Sequence, residues 1–233
     1  MYGRSMSDDQ GGTPQSPRLR DYVAWHDAYE DPSSSLSARL RQVQAQIAAW
    51  LERTPGSVRV LSSCAGQGHD ILGVLEERPY DCTRVSGALI EVNPRNAMAA
   101  REWIHKLGVD IDVIEADAGT TSAYAGLVPA DLVLLSGIMG NISPADIERL
   151  VHVSRQFCSR NATVLWTRGA QEPDLGPDIR RWFAEAGFDE IACDEWIEGT
   201  GMRVGVEQLT GDPERLRPGE PIFTFYRLAT GLP

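Results

Sequence analysis

Five short stretches of this sequence hold residue types suited to chemistry at a small ligand, each directly after an apolar run: Cys64-Ala65-Gly66-Gln67-Gly68, Glu91, Asp117-Ala118, Ser136-Gly137 and Trp166-Thr167-Arg168. A glycine-rich turn lets main chain approach a ligand closely, because glycine adopts backbone angles that other residues avoid. Glu91 follows Gly68 by 23 positions, and a carboxylate there can accept hydrogen bonds from two ribose hydroxyls. Asp117, after the next apolar run, can accept from an adenine amino group. Together these groups describe a site for an adenosine-containing ligand.

Such groups converge only if the apolar runs are neighbouring strands. VRVLSS (Val58 to Ser63) reads as a buried strand, followed by a turn and a helix from Asp70 to Glu77. Further strands are expected over 86–92, 111–117, 130–137, 162–169 and 189–197, with helices at 94–107, 144–157 and 177–186. MRVGVEQL and PIFTFYRL are both strand-like, and the pattern does not say which of them pairs with the sixth strand. Short apolar strands alternating with helices predict a doubly wound α/β domain around a mostly parallel sheet. Its ligand crevice lies beyond the carboxyl ends of the strands, where strand order reverses. Upstream, Ser33 to Ser35 offer N-caps for an amphipathic helix with the stripe Leu36, Leu40, Val43, Ile47, Trp50 and Leu51, closed by Thr54-Pro55-Gly56. Tyr22, Trp25, His26 and Tyr29 share one face of a shorter helix before it.

A dinucleotide fingerprint beginning at Gly66 would need glycine at position 71, which is Ile71, and no Gly-Lys-Ser/Thr follows the turn. The sequence instead resembles the class I S-adenosylmethionine-dependent methyltransferases. VRVLSSCAGQGHD is similar to their first motif, SGALIEVNP to the second, IDVIEADA to the third and ADLVLLSGIMGNI to the fourth, in order and at family spacing over about Val58 to Phe188. DYVAWHDAYEDPSSSL also resembles uncharacterised actinobacterial members. The resemblance implies a seven-stranded Rossmann-like methyltransferase fold, with S-adenosylmethionine as cofactor, S-adenosylhomocysteine as its product and no metal. It implies that Gly66 and Gly68 line the methionine moiety, with Cys64 and Ala65 also at the cofactor, that Glu91 holds the ribose, that Val92 packs on adenine and that Asp117 with the Ala118 amide reads the adenine edge. Ser136 completes the cofactor set. Two positions depart from the pattern. Ser62 stands where the family has an acid, so another acceptor, Asp70 or a main-chain carbonyl, must serve the cofactor's amino group. Cys64 stands where the first glycine is usual, which predicts a wider turn or a φ below zero.

Several of these residues have a purely structural alternative. Glu91 could cap the helix beginning near Pro94, and Asp117 before Ala-Gly-Thr suits an Asx-turn. In this fold the segment before the first strand commonly closes over the crevice, which would bring His26 to the acceptor as general base and Trp25 and Tyr29 as its walls; the same aromatics could simply pack. Asn141 falls where acceptor-facing residues lie in the family, but it could equally be a turn residue beside the N-cap Ser143. Arg168 could pair with an acceptor carboxylate, or be neutralised by Glu172 or Asp174. His69, His105 and His152 show no metal-ligand pattern, and Cys64, Cys82, Cys158 and Cys193 give no zinc spacing and are expected to be buried thiols.

Composition narrows the function further. With 22 basic and 33 acidic residues the formal net charge is −11, a poor match to nucleic acid or anionic membrane. The longest uncharged apolar stretch, Leu132 to Ala145, is too short and too interrupted to span a bilayer, and no secretory signal is visible, so a cytoplasmic protein is expected. Residues 1–18 are expected to be a disordered tail, 19–56 a helical extension or lid, and 57–233 the cofactor-binding domain. The expected activity is direct methyl displacement onto a small organic acceptor of secondary metabolism. Its rivals are a cofactor-binding protein without transferase activity and a nicotinamide-dependent oxidoreductase. An acidic surround would also favour the positively charged cofactor over its neutral product.

Overall fold

A computed structural model of the chain describes residues 34–169, 172–197 and 201–226. Trp25, His26 and Tyr29, and the expected tail, lie outside the described residues. Each apolar run forms a strand: β1 (Val58–Ser63), β2 (Val85–Ile90), β3 (Asp110–Ile114), β4 (Ala130–Leu135), β5 (Cys158–Gly169), β6 (Phe188–Ile197) and β7 (Met202–Leu209). They make one seven-stranded sheet in the order β3-β2-β1-β4-β5-β7-β6. β1 to β5 run parallel, and β7 is antiparallel to both its neighbours. MRVGVEQL is therefore the partner of the sixth strand. The described part of PIFTFYRL, Pro221 to Tyr226, adds none: Pro221 bridges Thr120, the Ile222 N–H donates to the Gly119 carbonyl at 2.7 Å, and the Tyr226 N–H donates to that of Asn141 at 2.8 Å. This C-terminal segment joins the turn after β3 to the loop after β4.

The helices are α1 (Ser35–Arg53), α2 (His69–Glu77), α3 (Pro94–Leu107), α4 (Pro144–Val153) and α5 (Gly176–Glu185), and α1, α3 and α4 start at capping side chains. Ser34, Asn93 and Ser143 accept from the N–H of Ser37, Arg95 and Asp146, and proline follows the latter two at the first helical position. Gly108, at φ 66°, ends α3 in the left-handed conformation. Alternate strand residues divide between two apolar layers, as the two-residue strand period requires. Val60, Leu132, Leu134 and Leu165 pack with Val43, Ile47 and Leu51 of α1 and Ile71 and Leu75 of α2. Leu61, Val133, Leu135 and Trp166 pack on the other face with Ile147 and Leu150 of α4 and Ile179 and Phe183 of α5. α1 is thus a flanking helix of the sheet. Truncating any of these buried leucines to alanine costs about 2–5 kcal/mol.

Boundaries shift where polar residues mask a strand. β5 starts at Cys158 rather than Ala162, because Ala130 pairs with Cys158 before a register break. β2 ends at Ile90 and β3 at Ile114, so Glu91 and Asp117 stand in the turns beyond them. At the β5–β7 contact, Gly205 faces Trp166 so closely that an added Cβ would lie 2.2 Å from the indole.

Candidate functional site

Strand order reverses between β1 and β4, so the crevice opens above their carboxyl ends. The turn after β1 is tight. The Ala65 N–H donates to the Ile90 carbonyl (3.0 Å) and the Gly68 N–H to that of Ala65 (2.9 Å). Gly66 and Gly68 take φ of 58° and 82°, and a Cβ on Gly68 would meet Leu72 at 2.7 Å. Positive φ favours glycine at both positions, and at Gly68 the closeness of Leu72 adds to it.

Cys64 overturns one expectation. It adopts φ 53°, neither negative nor part of a widened turn. A non-glycine residue in this region costs about 1–2 kcal/mol, and the bonds that fix Ala65 and Gly66 outweigh that cost. Burial pushes the Cys64 thiol pKa well up, and Glu91 and Asp117 push the same way, so the side chain stays a neutral thiol. Cys64→Gly is expected to stabilise the protein by up to about 1 kcal/mol, strain relief exceeding the added chain entropy of roughly 0.5–1 kcal/mol. The midpoint of urea unfolding checks it.

Glu91 is the hinge of the site. The residue is 7% exposed. Oε2 accepts from the Gly66 N–H at 2.8 Å and Oε1 from the Asn93 N–H at 2.7 Å. It therefore ties the glycine-rich turn to the start of α3, doing part of a capping residue's work while Asn93 caps the helix itself. A carboxylate has about four lone-pair positions, so each oxygen retains acceptor capacity. Val92 beside it is 68% exposed, an apolar side chain presented to solvent.

Beyond β3, one oxygen of the exposed Asp117 accepts from the Gly119 N–H at 2.8 Å, the Asx-turn geometry. Ala118 is buried, and its carbonyl accepts from the Tyr124 hydroxyl at 3.1 Å. Tyr124 also meets Ser63 Oγ at 3.1 Å and stacks on Phe157 with ring centroids 4.0 Å apart. This fully buried phenol joins the end of β1 to the Asp117 turn. Sequence reasoning missed it; a lone tyrosine in the polar run TSAYAG was the only signal. Tyr124→Phe is expected to lower stability by about 1–2 kcal/mol through the hydrogen bonds it forfeits, as measured by denaturant unfolding.

At the end of β4, Ser136 Oγ is buried without a hydrogen-bond partner. The adjacent Gly137, at φ 73°, donates its N–H to Thr167 Oγ1 at 2.8 Å. α1 brings a second unforeseen residue here. Arg39 is 4% exposed, and its Nη1 lies 3.7 Å from where a Gly137 Cβ would stand. Asp70 sits in the first turn of α2, half-buried. The Asn141 side chain donates to the Gly137 carbonyl at 2.8 Å, shaping its own loop. Arg168 is buried on β5. Neither Glu172 nor Asp174 hydrogen-bonds it; it donates to the carbonyls of Met139 and Pro173, and Asp174 bonds Arg203 instead. The structure thus gathers Cys64 to Gly68, Glu91, Asp117 and Ala118 around the β1–β3 ends, and Ser136, Asn141 and Arg168 around β4 and β5. Among the described residues no group of three or more His, Cys, Asp and Glu could hold a metal ion, and no helix is long and apolar enough to cross a membrane.

No family model matches the sequence, and no curated protein matches it. Solved structures do match by shape. Magnesium protoporphyrin IX methyltransferase from Synechocystis, with bound SAM, superposes at TM-score 0.64 with 11% identity, over 82% of this chain and 92% of that one. The fold is that of a methyltransferase. An O-methyltransferase family protein from Burkholderia thailandensis gives TM-score 0.60 at 17% identity, over 81% of this chain and 60% of that one. An O-methyltransferase family 2 protein from Planctomyces limnophilus, in complex with apigenin, gives 0.56 at 18% identity, over 78% and 62%. This chain spans less than two thirds of those last two.

Proposed function

We propose that this protein is an S-adenosylmethionine-dependent methyltransferase that methylates a small organic acceptor by direct displacement. The observation that carries this reading is Glu91, buried just past β2 in a methyltransferase fold, bonded to the Gly66 N–H and with acceptor capacity to spare. The residues present fit the cofactor. Glu91 would hold the ribose, Val92 would cover adenine, and Asp117 and the Ala118 amide would meet its edge. Gly66, Gly68, Cys64 and Ala65 would line the methionine moiety, and Ser136 Oγ, buried and unpartnered, offers a further hydrogen bond. Bound there, the cofactor supplies a methyl group activated by the positive sulfur that carries it.

What the protein adds is alignment and exclusion of water. Holding two reactants in line lowers a barrier by roughly 7–11 kcal/mol, so a dedicated catalytic triad is not required. A base is needed only when the acceptor must lose a proton; His26 is assigned that role, with Trp25 and Tyr29 as acceptor walls. Ser62 supplies no charge for the cofactor's amino group, but the Arg39 guanidinium beside Gly137 suits its carboxylate. Arg39→Met is expected to weaken binding of S-adenosylhomocysteine about tenfold, read by calorimetric titration. The antiparallel β7 between β5 and β6 also favours this reading over a nicotinamide-dependent oxidoreductase, whose doubly wound sheet ends in parallel order.

The test of transfer is incubation with methyl-labelled cofactor and a panel of phenols, amines and carboxylic acids. Label in at least one acceptor supports the proposal. Tight cofactor binding with no transfer across a broad panel would favour a binding protein without transferase activity.

A further inference from the structure

We propose that Arg149 is a positioning residue for adenine recognition, acting on Asp117 through the C-terminal segment; the inference rests on the cofactor reading above. Asp117 is exposed, and its Oδ1 is spent on the Gly119 N–H at 2.8 Å. The direction in which its other oxygen meets a ligand is thus tied to where Gly119 stands. Direction matters, because a hydrogen bond weakens steeply once donor and acceptor fall out of line. Gly119 is held from outside its own turn. Its carbonyl accepts from the Ile222 N–H at 2.7 Å and the Phe223 N–H at 3.4 Å. A Cβ on Gly119 would lie 2.5 Å from the Phe223 carbonyl oxygen, so the C-terminal segment is laid directly against the turn. The bridge from Thr120 to Pro221, and the Thr121 N–H bonded to the Glu220 carbonyl at 2.9 Å, extend the same contact.

Helix α4 grips that segment. Arg149 Nη1 donates to the Ile222 carbonyl at 3.0 Å, and Asp146, three residues earlier on the helix, pairs with Arg149. Asp146 Oδ2 also accepts from the Thr224 N–H at 3.3 Å. Ile222, fully buried, therefore gives its N–H to Gly119 and its carbonyl to Arg149. One route of hydrogen bonds runs from Arg149 through Ile222 and Gly119 to Asp117. Linked bonds of this kind polarise and strengthen one another, and a recognition group is only as well placed as the residues that support it. The Arg149 side chain is 45% exposed, and an ion pair so open to solvent contributes little to stability. Its expected effect is therefore on the placement of the turn rather than on folding.

The base edge reports that placement. Adenosine and inosine share the ribose and the ring shape, and so the contacts proposed for Glu91 and Val92. They differ where the Asp117 turn would meet them. Adenine offers an amino donor to the carboxylate and a ring nitrogen acceptor to the Ala118 N–H. Hypoxanthine presents a carbonyl oxygen and a ring N–H at the same two positions, which sets like against like. A site built for hydrogen bonds rejects an analogue that cannot make them, because its own polar groups are left unpaired.

The experiment titrates adenosine and inosine separately into the full chain, followed by ligand-observed NMR. The wild type is expected to bind adenosine roughly tenfold or more tightly than inosine. Arg149→Met should cut that ratio at least threefold, by weakening adenosine while inosine stays within twofold. Arg149→Lys, which retains a donor for the Ile222 carbonyl, should restore the ratio to within twofold of wild type. An unchanged ratio in Arg149→Met overturns the proposal. So does an equal loss for both nucleosides, the mark of a purely structural role. Should Arg149→Met fail to fold, Asp146→Ala takes its place, since it releases Thr224 and strips Arg149 of its partner; it must lower the ratio likewise, and an unchanged ratio overturns the proposal. Equal binding of the two nucleosides to the wild type would remove Asp117 from adenine recognition, and the proposal with it. Binding of neither would instead strike the cofactor reading as a whole, on which the proposal stands.

Discussion

Glu91→Ala is expected to weaken binding of S-adenosylhomocysteine at least tenfold. A carboxylate accepting from ribose hydroxyls contributes about 1.5–3 kcal/mol per charge-assisted bond, and alanine removes every such bond together. It also frees the Gly66 and Asn93 N–H groups that Glu91 now holds, so part of the loss comes from a loosened turn. Glu91→Gln removes less. Glutamine has nearly the same shape but a single acceptor oxygen, so it keeps one of the two main-chain bonds, turns its amide N–H group toward the other donor and loses the charge. Calorimetric titration of the three proteins should place Glu91→Gln between wild type and Glu91→Ala. Equal affinities in all three would remove Glu91 from the site.

The second large effect concerns stability, and it lies away from the crevice. Glu207 on β7 is 1% exposed and accepts from the Trp166 indole N–H at 3.1 Å. Burial raises its pKa from 4.5 to about 7; the Trp166 bond and Arg180 pull it down, and Glu190 pushes it up. The folded protein thus holds a proton that the unfolded chain releases. Stability from this group is complete below pH 4.5, falls as pH rises, and is fully lost above about pH 7. That span corresponds to about 3 kcal/mol. Glu207→Gln cannot ionise and keeps an acceptor for Trp166. It should gain at least 2 kcal/mol on wild type between pH 5 and pH 8, or roughly 4–8 °C in Tm. Thermal melts across that range decide it, and parallel curves for the two proteins would refute it.

What could be read from the sequence follows from how local each signal is. The turn from Cys64 to Gly68 and Glu91 are fixed by short-range rules: glycine where φ must be positive, an acid just past a strand. The strands β1 to β5 appear as apolar runs because both faces of a parallel sheet are covered. The ending was not legible. MRVGVEQL and PIFTFYRL look alike as patterns, and the choice rests on long-range packing, the Trp166 ring against Gly205. The second segment instead joins the turn after β3 to the loop after β4, with Ile222 and Phe223 buried in the layer that α4 and α5 cover. Arg39 escaped notice because an apolar stripe defined the buried face of α1, and its long stem reaches from that helix to the end of β4. Cys64 was misread because a side chain usually argues against positive φ, and here main-chain bonds at its neighbours prevail.

The central claim is that the crevice above β1 and β4 binds the adenosyl cofactor. Its most direct test is calorimetric titration of S-adenosylhomocysteine into the wild-type protein. The account predicts saturable binding with one site per chain. Absence of binding at millimolar ligand, with the protein shown to be folded by its melting transition, would contradict it.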